Sequence, residues 1–500
     1  MAPTAATDEL IVRRSVEYKP TYQRFVLKQK SYNQQFSHVY VSRLLQLRDA
    51  ITRRIGEADD TSTDGASVLP KIIDLKDGDE CIIIGTVLKV LHEKPNLFDA
   101  LISEDGVTPI EQLGKKLASD DDQLILEDES GRVELIGDID IGQLVTGVVL
   151  GVRGVMGAGE NGFSVKQIYL PEFPPQHALP EREESEYVAL VSGLSIGRNT
   201  DTNPLRSHVL VDYLAGRIGD DQEKQFVSKI VRTIVVGNSV DTSSMGSENS
   251  SRHVSTSVVK KKKTIEELEL EADPMKNVDE LLSSLACAMC VDIMPGQSDP
   301  SNYTLPQQSF HPCLFPRSSR FASFRAVTNP YEADIGGVQF FGHAGQPLDS
   351  MLQCTLKKDD AMTDGDDDTD GSSDQEQVLD CLENCLQWRH AAPTAPDLVA
   401  CFPMANDDPF ILETCPHVLF AGNQKHFSSR MATGMACLNL YIFADSQPLP
   451  LLSYTVTYYV PTGAKNQQVR VINVPSFAET STIVLLDLKD LSCFPISISL

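Results

Sequence analysis

The sequence predicts a multidomain chain of mixed α+β and α/β class: a small β-barrel followed by a larger domain built on a parallel sheet. Three observations predict it. At 500 residues the chain exceeds one ordinary core. Between residues 68 and 175 it runs in short, β-favouring segments with Gly-rich breaks. After residue 186 apolar strands instead alternate with helical stretches and end in glycine and polar residues. YVALVSGLSIG (187–197), TIVVGNSVD (233–241), CVDIMPGQSD (290–299) and HVLFAGNQKHF (417–427) share that form. Ligands and metals gather at such strand ends in open α/β sheets.

Composition narrows the classes of function. The chain is 41% apolar and 23% charged, as a globular protein is. Its formal net charge of −27 argues against gripping DNA unaided, which needs a cationic track, and favours protein partners. No apolar run reaches membrane-span length, so no membrane partner is expected. MAPTAATDELIVRRS lacks a signal-peptide core, pointing to the cytosol or nucleus. The eleven cysteines lie mostly in apolar contexts, as small core residues of a reducing compartment do. Cys287 and Cys290 form a CxxC with no second pair at zinc-ligand spacing, and with Cys381 and Cys385 they read as core.

Residues 1–67 read as an arm with an amphipathic helix, the first twenty residues being poorly ordered. Val39, Leu44, Leu45, Leu47 and Ile51 fall near helical spacing, with arginines along the opposite face. The helix covers a domain edge or serves as an interaction arm, and the two are compatible. GEADDTSTDGAS (56–67) is an acidic linker.

Residues 68–180 read as a Greek-key barrel of OB type, with about five strands and a hairpin in LEDESGRVELIG (126–137). Such barrels bind single strands through aromatics and cations. This one offers few aromatics and many acids, among them Glu127, Asp128, Glu129, Glu134, Asp138 and Asp140. A structural or protein-docking barrel is the better reading. PEFPPQHALPEREESE (171–186) is a Pro-rich hinge.

Residues 181–500 form the α/β domain. Two helical stretches between its first strands, the first striped by Leu210, Val211, Leu214 and Ile218, imply a parallel crossover. Residues 239–263 read as a disordered Ser-rich loop ending in Lys260–Lys263, a nuclear-import signal or a solvated end; the residues leave both open. DDAMTDGDDDTDGSSDQEQ (359–377) reads as a disordered acidic insertion whose deletion should be tolerated. The strand-rich last sixty or so residues form a second sheet or complete a sandwich.

A parallel-sheet core with polar strand-end loops invites comparison with metallophosphoesterases, which hold two divalent ions on Asp, His and Asn side chains. Their D-x-H, G-D, G-N-H-D and G-H-x-H motifs meet Ser192-Gly193-Leu194, Gly237-Asn238, Gly296-Gln297-Ser298-Asp299 and Gly422-Asn423-Gln424-Lys425 here. The turn glycines persist, while nearly every ligand is replaced by a neutral, apolar or cationic side chain. Ser192, Leu194, Asn238, Gln297, Ser298, Asp299, Asn423 and Lys425 are thus vestigial positions, with no catalytic residue and no metal. His343, His417 and His426 remain, each read as structural before ligand.

With these loops, the most specific blocks are KSYNQQFSHVYVSRLLQLR (30–48), LEDESGRVELIG (126–137), LVSGLSIG (190–197) and VDELLSSLACAMCVDIMPGQSDPSNYTLPQQ (278–308). FRAVTNPY (324–331), RHAAPTAPD (389–397) and DPFILETCPHVLFAGNQ (408–424) complete the set. Over nearly its whole length the chain resembles the B subunits of eukaryotic replicative DNA polymerases, and the first block favours their delta branch over alpha and epsilon. The resemblance implies an OB-type barrel joined to a degenerate calcineurin-like phosphoesterase domain, a two-sheet αββα sandwich. It implies a nuclear accessory subunit without cofactor that scaffolds its polymerase in replication and repair synthesis. The expected partners are the cysteine-rich C-terminal domain of the delta catalytic subunit and a third accessory subunit. The sliding clamp is reached indirectly, and DNA only through the complex. The alternatives are a B subunit of the alpha or epsilon polymerase, an active metal-dependent phosphodiesterase or exonuclease, and a barrel-based single-strand binder.

Overall fold

The computed structural model describes residues 11–28, 31–59, 66–94, 116–157, 162–197, 205–241, 265–357, 372–404, 407–434, 436–438, 458–460 and 467–499. Strand β1 (Tyr18–Pro20) and helix α1 (Ser37–Asp59) precede the barrel. The barrel comprises β2 (Ser67–Val68), β3 (Glu80–Val90), β4 (Gln123–Glu127), β5 (Arg132–Gly137), β6 (Val149–Met156) and β7 (Gly162–Tyr169). Its order is β2-β3-β4-β5-β7-β6, and pairing of β3 with β6 closes it.

Strand β3 reads as a continuous apolar run because both its faces are covered. Cys81, Ile83 and Val87 point into the barrel, while Ile82 and Ile84 meet Leu44, Leu47, Ile51 and Ile55 of α1. The predicted hairpin is β4–β5. Asp128 closes its turn, Oδ1 accepting from the amides of Ser130 (2.7 Å) and Gly131 (3.0 Å).

The α/β domain begins with β8 (Tyr187–Val191), α2 (Leu205–Leu214), α3 (Asp221–Ser228) and β9 (Ile230–Val236). β8 and β9 are parallel, as the crossover requires. Then come α4 (Ile265–Ala286), β10 (Cys290–Met294), β11 (Phe324–Ala326), β12 (Tyr331–Ile335), β13 (Val338–His343), α5 (Gln346–Cys354), α6 (Ser372–Gln387), β14 (Val418–Gln424) and β15 (Ser428–Thr433). A short ribbon of β16 (Ala436–Leu438) and β17 (Tyr458–Val460) precedes β18 (Gln468–Pro475), β19 (Thr482–Asp487) and β20 (Cys493–Ser497).

Two six-stranded sheets result, ordered β11-β10-β9-β8-β19-β20 and β1-β12-β13-β14-β18-β15. Alternation along each strand builds the layers. Val188, Leu190, Phe340, Phe420, Ile472 and Val484 share the core between the sheets. Ala189, Val191 and Leu485 face α2 and α4 on one outer side. Phe341, Leu419 and Val471 face α5 and α6 on the other, in a core continuous with the barrel interior.

Several expectations are corrected. Residues 11–20 are ordered: β1 pairs with β12, and Arg13 donates to the carbonyls of Leu214 (2.6 Å), Ile230 (2.7 Å) and Val227 (3.0 Å). On α1, Leu45 is exposed, whereas Arg43 is fully buried because its guanidinium finds a carboxylate inside. Ile218 lies beyond α2, which ends before the positive-φ Gly216. Cys287 is exposed at the turn after α4 rather than in core, whereas Cys381 and Cys385 are buried.

The Pro-rich segment is no hinge but a strap. Arg389 donates to Glu172 O (2.6 Å) and Phe173 O (3.1 Å), Gln467 to Pro174 O (2.8 Å), and the amide of Cys415 to Pro175 O (2.9 Å). The acidic run ends earlier than expected, since residues 372–377 belong to α6. Gln377 there donates to Thr355 O at 3.2 Å. Lys260–Lys263, most of the Ser-rich loop and the rest of the acidic run lie outside the described residues. Of the C-terminal strands, β18, β19 and β20 extend the two sheets, in keeping with the expectation that they complete a sandwich, while β16 and β17 pair with each other. No described helix is long and apolar enough to cross a membrane.

Candidate functional site

The loops after β8, β9, β10, β13 and β14 meet at one end of the two sheets, where the sequence places its vestigial positions. Ser192 is fully buried: its hydroxyl lies against Pro475 O (2.9 Å) and Val474 O (3.1 Å) and accepts from the Asn423 amide (3.0 Å). Asn423, in a left-handed conformation, donates through Nδ2 to Ala344 O (2.7 Å) and Val236 O (3.2 Å). One hydroxyl and one amide therefore bind β8, β9, β13, β14 and β18 together.

Asn238, also left-handed, accepts from the Ser298 amide at 3.2 Å, and Ser298 Oγ donates to Val240 O at 2.6 Å. Asp299 is buried and holds the β9 and β10 loops together. It accepts from the amides of Ser239 (2.8 Å), Val240 (3.0 Å) and Gly296 (2.8 Å). Burial pushes its pKa up to about 6, against the opposing pull of those N–H donors. Leu194 is packed into the apolar core beside α2 and α4. Gln297 and Lys425 face solvent.

The glycines explain how tightly these loops close. A Cβ on Gly237 would lie 2.6 Å from Ala344 Cβ and 2.9 Å from Gly296 Cα. On Gly422 it would meet Val236 Cγ1 at 2.5 Å. Backbone thus approaches backbone where a dinuclear centre needs open coordination positions.

The histidines do not converge. His343 is buried, accepts from the Gly345 amide through Nδ1 (3.2 Å), and is pushed by burial to a pKa of about 3. His417 accepts from the Gln339 amide (2.9 Å), which leaves Nε2 as donor to His177 O (3.0 Å). His426 is exposed. Among the described residues no three His, Cys, Asp or Glu side chains group closely enough to hold a metal ion.

Sequence reading missed a buried amide cluster under these loops. Gln307 Oε1 accepts from Asn329 (2.8 Å) and Gln346 (3.0 Å), while its Nε2 donates to Gly296 O (3.0 Å). Amides carry no periodic signal, so only TNPY and LPQQ as blocks marked the place.

It also missed a buried charged site where α1, the barrel and the α/β domain meet. Arg43 donates through Nε to Asp408 Oδ2 (2.7 Å), through Nη1 to Gly147 O (2.9 Å) and Pro393 O (2.8 Å), and through Nη2 to Ala395 O (2.8 Å). His390 Nδ1 accepts from the Ala392 amide (3.2 Å), so Nε2 carries the proton given to Asp408 Oδ2 (2.9 Å). Burial and Arg43 push His390 to a pKa of about 4. Burial alone would raise the Asp408 carboxyl, but Arg43 and His390 hold it well below the usual carboxylate range. Three of the sequence blocks, 30–48, 389–397 and 408–424, supply Arg43, His390 and Asp408.

Comparison with known proteins places the chain. Residues 35–168 match the family described as "DNA polymerase delta subunit OB-fold domain", and residues 188–429 match the family of the B subunit of DNA polymerase alpha/epsilon. The chain is 34% identical over 502 residues to the "DNA polymerase delta small subunit" of Arabidopsis thaliana, covering 99% of this chain and 98% of that one. It is 33% identical over 495 residues to the Oryza sativa subsp. japonica protein of the same name, covering 97% and 98%. Against the Saccharomyces cerevisiae small subunit it is 30% identical over 495 residues, covering 95% and 91%. With an OB-fold barrel and similarity along nearly its whole length, the chain belongs to the DNA polymerase delta small-subunit family.

Proposed function

We propose that the chain is a non-catalytic scaffold subunit of the DNA polymerase delta holoenzyme, bridging the cysteine-rich C-terminal domain of the catalytic subunit and a further accessory subunit in replication and repair synthesis. The observation that carries this reading is the state of the strand ends. Ser192, Asn238, Ser298, Asp299 and Asn423 all hold neighbouring backbone in place, and Leu194 is core. Such side chains leave no open positions for a metal pair and activated water.

On this reading residues 181–500 are an inactive, calcineurin-like phosphoesterase domain, residues 68–180 the OB-fold domain and residues 1–67 an arm and helix. The vestigial positions bind no metal and no cofactor. The net charge of −27 supports a chain that reaches DNA through other subunits, and a polymerase delta role carries with it the nucleus and an indirect link to the sliding clamp.

Co-expression with the cysteine-rich C-terminal domain of the catalytic subunit tests the proposal. A one-to-one complex that survives moderate salt, and is lost when that domain's metal-binding cysteines are replaced, is the expected result. Separate elution of the two, together with manganese-dependent phosphodiester cleavage abolished by Asp299→Ala, would overturn it.

A further inference from the structure

Two buried cations cross the boundary between the barrel and the α/β domain. Arg43 reaches from α1 to the barrel carbonyl of Gly147 and to Pro393, Ala395 and Asp408 of the α/β domain. On the barrel, Lys89 of β3 has its ammonium buried, donating to Ile141 O (2.8 Å) and to Cys354 O (2.7 Å) at the end of α5. The carboxylate of Asp122 stands 3.6 Å from the same ammonium. Elsewhere the boundary combines one continuous apolar core, with Val145, Leu348, Trp388 and Phe410, and hydrogen bonds between neutral groups. The amides of Leu117 and Ala118 donate to Gln353 O (2.9 and 3.0 Å) and that of Leu356 to Gly142 O (2.9 Å), with a half-exposed Lys94–Asp397 pair (2.8 Å) at the rim.

Apolar contact alone is non-directional and permits neighbouring orientations of similar energy. Hydrogen bonds from a planar guanidinium to a carboxylate and three carbonyls fix one angle. A buried, fully bonded ion pair is weak as a source of stability, yet it can specify one arrangement. The contact at Gly147 leaves no slack: a Cβ there would stand 2.1 Å from Pro393 O and 2.5 Å from Arg43 Nη1, at a φ of +92°.

We infer that Arg43–Asp408–His390 and Lys89 form a conformational lock that sets the barrel at one angle to the α/β domain, so that the two present a single preformed surface. The lock does not depend on the scaffold reading; it specifies what a partner touching both domains would meet.

Single-molecule fluorescence on the full chain tests it, with dyes placed at exposed Asp79 on the barrel side and Asp221 in α3. The wild-type chain should give one narrow distance distribution. The variant carrying Arg43→Met, Asp408→Leu and Lys89→Met should fold with a lowered thermal midpoint, since Asp122 and His390 stay buried without their partners, while its distribution broadens. A folded variant with an unchanged distribution would overturn the lock. Hydrogen exchange on the unaltered chain is independent of whether the variant folds. The amides of Val148, Ala392 and Phe410 should open only with global unfolding, and exchange at surface-loop rates would also overturn the inference. A rigid wild-type chain that does not bind the C-terminal domain of the catalytic subunit would count against the scaffold reading and leave the lock standing.

Discussion

The strand ends and the domain boundary are both polar and buried, but they are built in opposite ways. At the strand ends the bonded groups are mostly neutral: hydroxyls, amides and backbone, with Asp299 as the buried carboxylate among them. At the boundary they are charged, with a guanidinium, an ammonium and a carboxylate withdrawn from water together. A catalytic metal site would put the charge at the strand ends instead. The polar chemistry of this chain serves to join its parts.

The sharpest way to break that contrast is to remove one charge from the boundary. Arg43→Ala leaves Asp408 buried without its cation and should cost about 3–5 kcal/mol in chemical denaturation. A cost below about 1 kcal/mol would mean that the pair is open to solvent in the folded chain.

The converse experiment adds charge at the strand ends. Ser192→Asp, the change that would rebuild a metal ligand, sets a carboxylate against the carbonyls of Val474 and Pro475. It should destabilise by about 3 kcal/mol. Combined with Leu194→His and Asn238→Asp it should give no phosphodiesterase activity with manganese, a result checked by hydrolysis assay.

A smaller effect is expected from acid. His343 and His390 are held neutral in the fold, at about 3 and about 4, so the unfolded chain binds more protons below its ordinary histidine value. Stability is therefore lost as pH falls from 7 to 5, by about 2 kcal/mol for each histidine. Asp299, raised to about 6, acts in the opposite sense and recovers part of that loss. His343→Leu should flatten the dependence of the unfolding midpoint on pH, and an unchanged slope would contradict it.

The least effect belongs to the outer face of α1. Leu45→Ala should change stability by no more than about 0.5 kcal/mol, whereas Leu47→Ala, two residues on and buried on the opposite face, should cost about 2–5 kcal/mol.

These residues show how far the sequence could be read. Strand alternation, the hairpin at 126–137 and the β8–β9 crossover are legible because each leaves a periodic or turn signature. The strand-end glycines and the absence of D-x-H side chains are legible because a motif has fixed spacing. Arg43 is not: on a helix an arginine reads as solvent-facing until its carboxylate, 365 positions away, is placed beside it. Leu45 fails for the mirror reason, since apolar character says nothing about which neighbours arrive. The strap at 171–186 reads as a hinge because prolines mark extended chain, whether free or bound.

Affinity purification of the tagged full chain at moderate salt, with quantitative mass spectrometry, tests the central claim most directly. The account predicts recovery of the DNA polymerase delta catalytic subunit in near-equal amount. A chain recovered alone, or with the catalytic subunit of polymerase alpha or epsilon in its place, would contradict it.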